Sequence, residues 1–343
     1  MAKRKAVSIK DIAKASGSSL TTVSLVLNSR DRRISQPTRQ RVLDAVERLG
    51  YRPSRLAQAL QSQRAGLLAI LVPELRHAFA DVYFGELISA IHDEASAAGY
   101  KVLLEVAHPK FIDAGQHLEI FDRRFIDGML CLGVTSNDGY LSTFEDGNRP
   151  MLVVNNYVQG LELNHVRCDY REAGKIAGEH LLANGHRRVG LVRGALEVQT
   201  MVDLIGGFKA ALAAAGAPID DANIVDGLYT EEGGAAAATD LIRRRPDLTA
   251  LMAGNDKMAI GAIAGLKAAG RRVPDDVSVI GCDDIHQGEF CDPPLTTVHT
   301  PIYDMGRAAC KRLLEIIAGQ TSTVREVHPV HLTVRKSVAK RAS

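Results

Sequence analysis

The chain has 343 residues, 46% of them hydrophobic and only 5% aromatic, and a formal net charge of +2. That length accommodates a small domain joined to a large two-lobed one. The longest useful apolar run, Leu67 to Val72, is strand-sized and excludes a membrane-spanning helix. The charge is unevenly placed: residues 1–64 hold 14 Lys and Arg against 4 Asp and Glu, a net of +10, which leaves −8 for the remainder. A basic head on an acidic body points to phosphate contacts, from Lys3, Arg4, Lys5, Arg30, Arg32, Arg33, Arg52 and Arg55.

In chain order, Ser8 followed three residues later by Asp11 predicts a capped helix start, with Ile9, Ile12 and Ala13 on one face. Gly17 sits where a tight turn needs positive φ, and Ser19 is placed to cap a second helix beginning at Leu20. Val23, Val26 and Leu27 share the inner face of that helix. Leu20, Thr21, Ser24 and Leu25 face outward, short side chains suited to base edges and thymine methyls in a major groove. Ser35 is expected to cap a longer helix whose Val42, Ala45, Val46 and Leu49 close a mini-core, with Gly50 as its stop. The spacing is that of a helix-turn-helix with a supporting third helix.

From about Leu67 short apolar strands alternate with helical stretches: Leu67–Val72, Lys101–Val106, Gly128–Leu132 and Met151–Asn155, then Arg188–Val192, Leu251–Ala253 and Val277–Gly281. Two such series predict two parallel, doubly wound α/β lobes, with a ligand in the cleft at the carboxyl ends of their strands. The cysteines at 131, 168, 282, 291 and 310 are scattered, without metal-ligand spacing, and read as reduced core thiols. No signal-peptide core follows the basic N-terminus, so a cytoplasmic protein is expected. The chain carries no Gly-x-Ser-x-Gly, no His-Glu-x-x-His and no phosphate loop, so no enzyme activity, cofactor or metal is expected. The basic tail after Val334 has no heptad repeat, and the expected assembly is a homodimer on a two-fold DNA site.

Residues 7–60 resemble the DNA-binding head of the LacI/GalR family of bacterial transcription regulators, through Asp11-Ile-Ala13, Thr22-Val-Ser24, Val26-Leu-Asn28, Thr38-Arg39 and Leu49-Gly-Tyr-Arg-Pro53. Pro53 to Leu60 resembles the family's hinge, and the resemblance makes Leu60 a wedge into the central minor groove. It implies DNA contacts from Ser19, Leu20, Thr21, Thr22, Ser24, Leu25, Asn28, Arg33, Arg52, Arg55 and Leu60. Leu25 stands where the family usually has a guanine-gripping arginine, so the operator is expected to differ at that base. The resemblance continues through Asp169-Tyr-Arg-Glu-Ala-Gly174, Gly254-Asn-Asp256, Val273 to Gly281, Asp283-Asp284 and Pro294-Leu-Thr-Thr297, covering nearly the whole chain. It implies a helix-turn-helix domain at 1–52, a hinge at 53–65 and a periplasmic-binding-protein-like domain at 66–338. Lobe 1 is then expected at 66–166 and 293–322, and lobe 2 at 167–292 and 323–338, with crossings near Arg167, Pro293 and Thr323.

Carried over residue by residue, the ligand positions are Tyr83, Phe84, Asn155, Val198, Leu204, Tyr229, Asn255 and Asp283. Their chemistry suits a sugar-like effector: aromatic faces, an amide and a carboxylate. Leu204 replaces the family's usual arginine, and Val198 occupies a position that purine-binding members use, which makes the site more apolar. Arg193 is a candidate to supply the missing charge to Asp283. The function implied is a repressor that binds a palindromic double-stranded operator and responds to a small molecule. Two alternatives are a solute-binding protein of a transport system, which predicts a signal peptide and no basic head, and a DNA-binding regulator whose large domain senses nothing.

Overall fold

Residues 7–27, 34–51, 64–74, 81–321 and 323–341 are described in the computed structural model, whose backbone divides into two units, Met1–Ala65 and Gly66–Ser343. In the first unit the Asp11 carboxylate accepts both the backbone N–H of Ser8 (2.8 Å) and its hydroxyl (2.7 Å), which starts α1 (Ile9–Ser16). Gly17, at φ 63°, ends that helix in the left-handed region where a side chain would be strained. The chain then enters α2 (Leu20–Leu27), where the Ser19 hydroxyl accepts the N–H of Thr22 at 3.1 Å. Helix α3 (Gln36–Leu49) has Pro37 in its first turn. Here Ser35 departs from the expected cap: its hydroxyl donates to the hydroxyl of Thr38 (3.0 Å) and makes no bond to a helix N–H. Ile12, Val23, Val26, Val42 and Ala45 form the buried mini-core, with Ile34, Val46 and Tyr51 packed against it. Leu49 does not join them. It is 36% exposed, at the last residue of α3.

The second unit contains two six-stranded sheets. In chain order its elements are β1 (Leu67–Val72), α4 (Val82–Ala97), β2 (Lys101–Val106), α5 (Pro109–Asp113), α6 (Gln116–Asp122), β3 (Gly128–Leu132), β4 (Met151–Val154) and β5 (His165–Cys168). There follow α7 (Tyr170–Ala183), β6 (Val189–Arg193), α8 (Gln199–Ala214), β7 (Ile224–Asp226), α9 (Glu231–Arg244), β8 (Ala250–Ala253), α10 (Asp256–Ala268) and β9 (Ser278–Asp283). Last come α11 (Gln287–Phe290), β10 (Thr296–His299), α12 (Ile302–Ile317), β11 (Arg325–His328) and β12 (His331–Thr333). The first sheet runs β11-β5-β4-β3-β1-β2, parallel throughout; the second runs β12-β10-β9-β8-β6-β7, parallel except for the β10–β12 pair. The central strands β1, β3, β4, β8 and β9 are almost wholly buried, as expected of parallel strands covered on both faces.

The strand pairings correct two of the expected lobe boundaries. Strand β10 pairs in parallel with β9, so the chain stays in the second lobe past Pro293 and leaves only around Thr300. Strand β11 pairs with β5 of the first sheet, so the return lies after His328, later than Thr323. Beyond β12, Ser337 locks the C-terminal segment to the second sheet: its carbonyl accepts from Val279 N–H (2.8 Å), and its hydroxyl accepts from Thr296 N–H (2.8 Å). Among the described residues no helix is long and apolar enough to cross a membrane.

Helices α7 and α8 pack with their backbones in near contact. A Cβ on Gly174 would overlap the carbonyl oxygen of Leu204, and one on Gly207 would overlap that of Arg171. Neither obstacle can rotate away. Gly174→Ala is therefore expected to lower unfolding free energy by about 3 kcal/mol, whereas Gly85→Ala, in a helix with open space around its Cβ position, should raise it by about 0.5–1 kcal/mol. Urea denaturation of the two variants checks the pair.

Candidate functional site

On the head, α2 presents Leu20 (45% exposed) and Thr21 to solvent, with Thr22, Ser24 and Leu25 half-buried behind them. The hydroxyls of Ser19 and Thr22 lie 2.9 Å apart, so both serve the helix start as well as the outer surface. No charged residue lies in α2. This face therefore offers hydroxyls and apolar groups but no side-chain cation. Asn28, Arg33, Arg52, Arg55 and Leu60 lie outside the described residues.

In the second unit the carboxyl ends of β4 and β9 bring Asn155 and Asp283 together. Both have positive φ, 55° and 118°, as does Tyr229 at 57°. Such backbone costs about 1–3 kcal/mol per residue and collects at functional sites. The Asn155 amide donates to the Tyr83 hydroxyl (2.5 Å) and the Tyr170 hydroxyl (2.8 Å), and its oxygen accepts the N–H of Cys168 (3.1 Å). Tyr170 in turn donates to Asp283 Oδ1 (3.4 Å), beside which the Thr300 hydroxyl lies at 3.5 Å. This chain of polar groups runs from the first lobe into the second. Asn155 and Asp283 are only 6% and 8% exposed, so burial, reinforced by the nearby Asp256, pushes the Asp283 carboxyl well above the ordinary carboxylate range.

Asp256, quoted in the sequence only as part of Gly254-Asn-Asp256 and given no role there, is fully buried. Its oxygens accept from the Thr297 hydroxyl (2.5 Å) and the Ile285 N–H (2.9 Å), and burial pushes its pKa up to about 7. Gly281 makes room for it, since a Cβ there would overlap Asp256 Oδ1. Tyr229 lies over Gly194, which has to be glycine because a Cβ would enter the tyrosine ring, and the buried Tyr229 hydroxyl has no protein partner among the described residues.

The other expected positions divide by role. Phe84 (9% exposed) and Leu204 (0%) are sealed in the apolar core, Phe84 edge-on to Tyr83 with ring centroids 5.4 Å apart. Val198 is half-buried ahead of α8, and Asn255 caps α10, its side-chain oxygen accepting the N–H of Met258 at 2.9 Å. Arg193 does not reach Asp283: its Nη1 pairs with Asp226 Oδ2 (2.8 Å) and donates to Gly194 O (2.7 Å). Tyr170, Thr300 and Asp256 were not singled out from the sequence. Tyr170 had a signal in its place directly after the strand-end Asp169, whereas Thr300 and Asp256 are brought in by pairing across the sheet. The resulting polar set consists of hydroxyls, one amide and a carboxyl that burial favours in its neutral form. Among the described residues no group of three His, Cys, Asp or Glu is arranged to hold a metal ion.

Residues 8–54 match the family described as bacterial regulatory proteins, lacI family, and residues 178–338 match a periplasmic binding protein-like domain. The HTH-type transcriptional regulator CelR of Thermobifida fusca is 31% identical over 98% of this chain and 100% of its own. The HTH-type transcriptional repressor PurR of Erwinia tasmaniensis is 34% identical over 96% of each. The chain belongs to the lacI family of bacterial regulatory proteins. It is a DNA-binding transcriptional regulator. Among solved structures, the lac repressor dimer bound to operator and the anti-inducer ONPF is similar at a TM-score of 0.85, with 26% identity over 98% of this chain and 100% of that one. A CelR-cellobiose complex is similar at a TM-score of 0.75, with 30% identity over 96% and 99%.

Asp256 makes stability pH-dependent. Its pKa in the folded protein, about 7 against an ordinary 3.8, means that the folded state keeps a proton the unfolded state has lost. Stability therefore falls as pH rises from about 4 to 7. Asp256→Asn is expected to remove on the order of 2–4 kcal/mol of that decline, measured as the flattening of unfolding free energy against pH.

Proposed function

We propose that this lacI-family protein represses transcription as a homodimer on a palindromic operator, and that its effector is a neutral sugar held in the interlobe cleft by Asn155, Tyr83, Tyr229 and Asp283. One observation carries the effector class. The polar chain at the strand ends consists of hydroxyls, an amide and a carboxyl that burial pushes toward its neutral form, while Val198 is apolar and Arg193 is spent on Asp226. Hydroxyls, an amide and a buried carboxyl match the alternating donors and acceptors of a polyol, and they offer no bidentate cation for a sugar phosphate or sugar acid. The cellobiose named with CelR, and the ribose named with a LacI-family regulator of Enterococcus faecium (28% identical, TM-score 0.69), support the same class. The reading makes the protein a cytoplasmic binder that catalyses nothing.

On the head, Leu20, Thr21 and Leu25 read base edges, Ser24 lies nearer the phosphates, and Leu60 wedges the central step. Purified protein is expected to enrich genomic fragments that share one palindrome, and Leu25→Arg should move preference toward guanine at a single half-site base by about 5–100-fold. Sequencing the bound pools of both proteins measures this. Unselective, salt-labile binding by the wild type would overturn the DNA reading.

For the cleft, a thermal-shift panel is expected to show stabilisation by one or more neutral mono- or disaccharides and by none of their phosphates or acids, with the shift lost in Asn155→Ala. Stabilisation by anionic sugars alone would contradict the assignment.

A further inference from the structure

Among the described residues, two bonds between side chains cross between the lobes outside the polar chain of Asn155. Lys257, in the first turn of α10 on the second lobe, places Nζ 2.6 Å from Oδ2 of Asp81 on the first, and both side chains are only about one-fifth exposed. The other Asp81 oxygen caps α4 by accepting the N–H groups of Tyr83 (3.0 Å) and Phe84 (3.3 Å). The carboxylate is thus already oriented by its own helix before Lys257 reaches it, which lowers the entropy cost of the pair. Tyr157, following β4 of the first lobe, donates its hydroxyl to Asp203 Oδ2 on α8 of the second at 2.9 Å. Asp203 is 8% exposed, and the Arg167 guanidinium sits 4.9 Å from the centre of the Tyr157 ring, which holds the ring by a cation–π contact. Two backbone amides also donate across the boundary: Ser136 N–H to Glu197 O (2.8 Å) and Thr200 N–H to Asn156 Oδ1 (3.2 Å).

We propose that Lys257 and Tyr157 are positioning residues that clasp the two lobes shut over the cleft, and that the ionic half of this clasp makes closure sensitive to salt. Its regulatory meaning, that the clasp sets how readily the effector enters and leaves, rests on the effector reading above. A freely exposed ion pair contributes little. This one is shielded on both sides and anchored at a helix cap, so losing it shifts the balance between closed and open lobes, and bulk salt weakens it without abolishing it.

The Ser136 and Thr200 amides report closure directly, because their acceptors lie on the opposite lobe. In hydrogen exchange on the full chain with no effector added, Lys257→Met is expected to speed exchange at both amides by about tenfold, the scale of a local opening, while Ile70 in β1 and Leu251 in β8 keep their wild-type rates. Raising NaCl from 0.05 to 1 M, a concentration range chosen to span a roughly threefold or greater change in screening length, should speed both amides in the wild type and leave Lys257→Met unmoved. Lys257→Arg should restore wild-type behaviour, and Tyr157→Phe should speed the same two amides while keeping the wild-type response to salt. Unchanged exchange in Lys257→Met, acceleration spread equally to the strand amides, or the same salt response in Lys257→Met would each overturn the clasp. Since no effector is present, a protein that binds no sugar can still show the clasp, and a failed clasp leaves the sugar reading standing.

Discussion

The joint between the two lobes depends on one constraint: the buried amide of Asn155 has to be bonded. It sits at a strand end in a left-handed backbone conformation and is nearly sealed from water, so every unsatisfied atom would cost about 1–3 kcal/mol. Two tyrosine hydroxyls and a backbone N–H satisfy it, and one of those tyrosines, Tyr170, extends the chain to Asp283 in the second lobe. The same groups that stabilise the joint are those a polyhydroxylated ligand would use. The proposed sugar would compete with bonds the protein already makes, and its net gain would be the difference between the two sets. An effector changes operator affinity only by as much as it prefers one lobe arrangement to the other.

The head was legible in the sequence because its information is local. Ser8 with Asp11, Gly17 and Ser19 act within a few residues of themselves, and the apolar spacing of Val23, Val26 and Val42 leaves one arrangement for a three-helix core. Leu49 escaped that logic because a position at the end of a helix can follow the periodicity and still face water. The central strands were equally plain as apolar runs. The short strands β10, β11 and β12 were not, since Thr296–His299 and Arg325–His328 have polar ends and owe their place to pairing with β9 and β5. That is why the second and third crossings were expected too early.

The site was legible by position more than by role. Asn155 and Asp283 follow from strand ends, but Leu204 marks only where a cation is missing, and its side chain belongs to the core. Arg193 shows the limit of charge matching in sequence: Asp226, on the adjacent strand, lies nearer than the acid it was expected to meet. The bonds that join the lobes, Asp81 to Lys257 and Tyr157 to Asp203, connect residues 176 and 46 positions apart. No local pattern announces them. Asp81 and Lys257 meet because two doubly wound sheets present helix starts to one another, and Tyr157 meets Asp203 from the loop after β4.

The central claim is that a neutral ligand in this cleft governs DNA binding, and the most direct measurement is the operator Kd with and without a saturating neutral sugar, in the wild type and in Asn155→Ala. The account predicts a change of about tenfold or more in the wild type, the usual scale of allosteric coupling, and none in the variant, whose operator Kd without sugar stays measurable. A sugar that binds the wild type without altering its operator Kd, or a change that survives in Asn155→Ala, would contradict it.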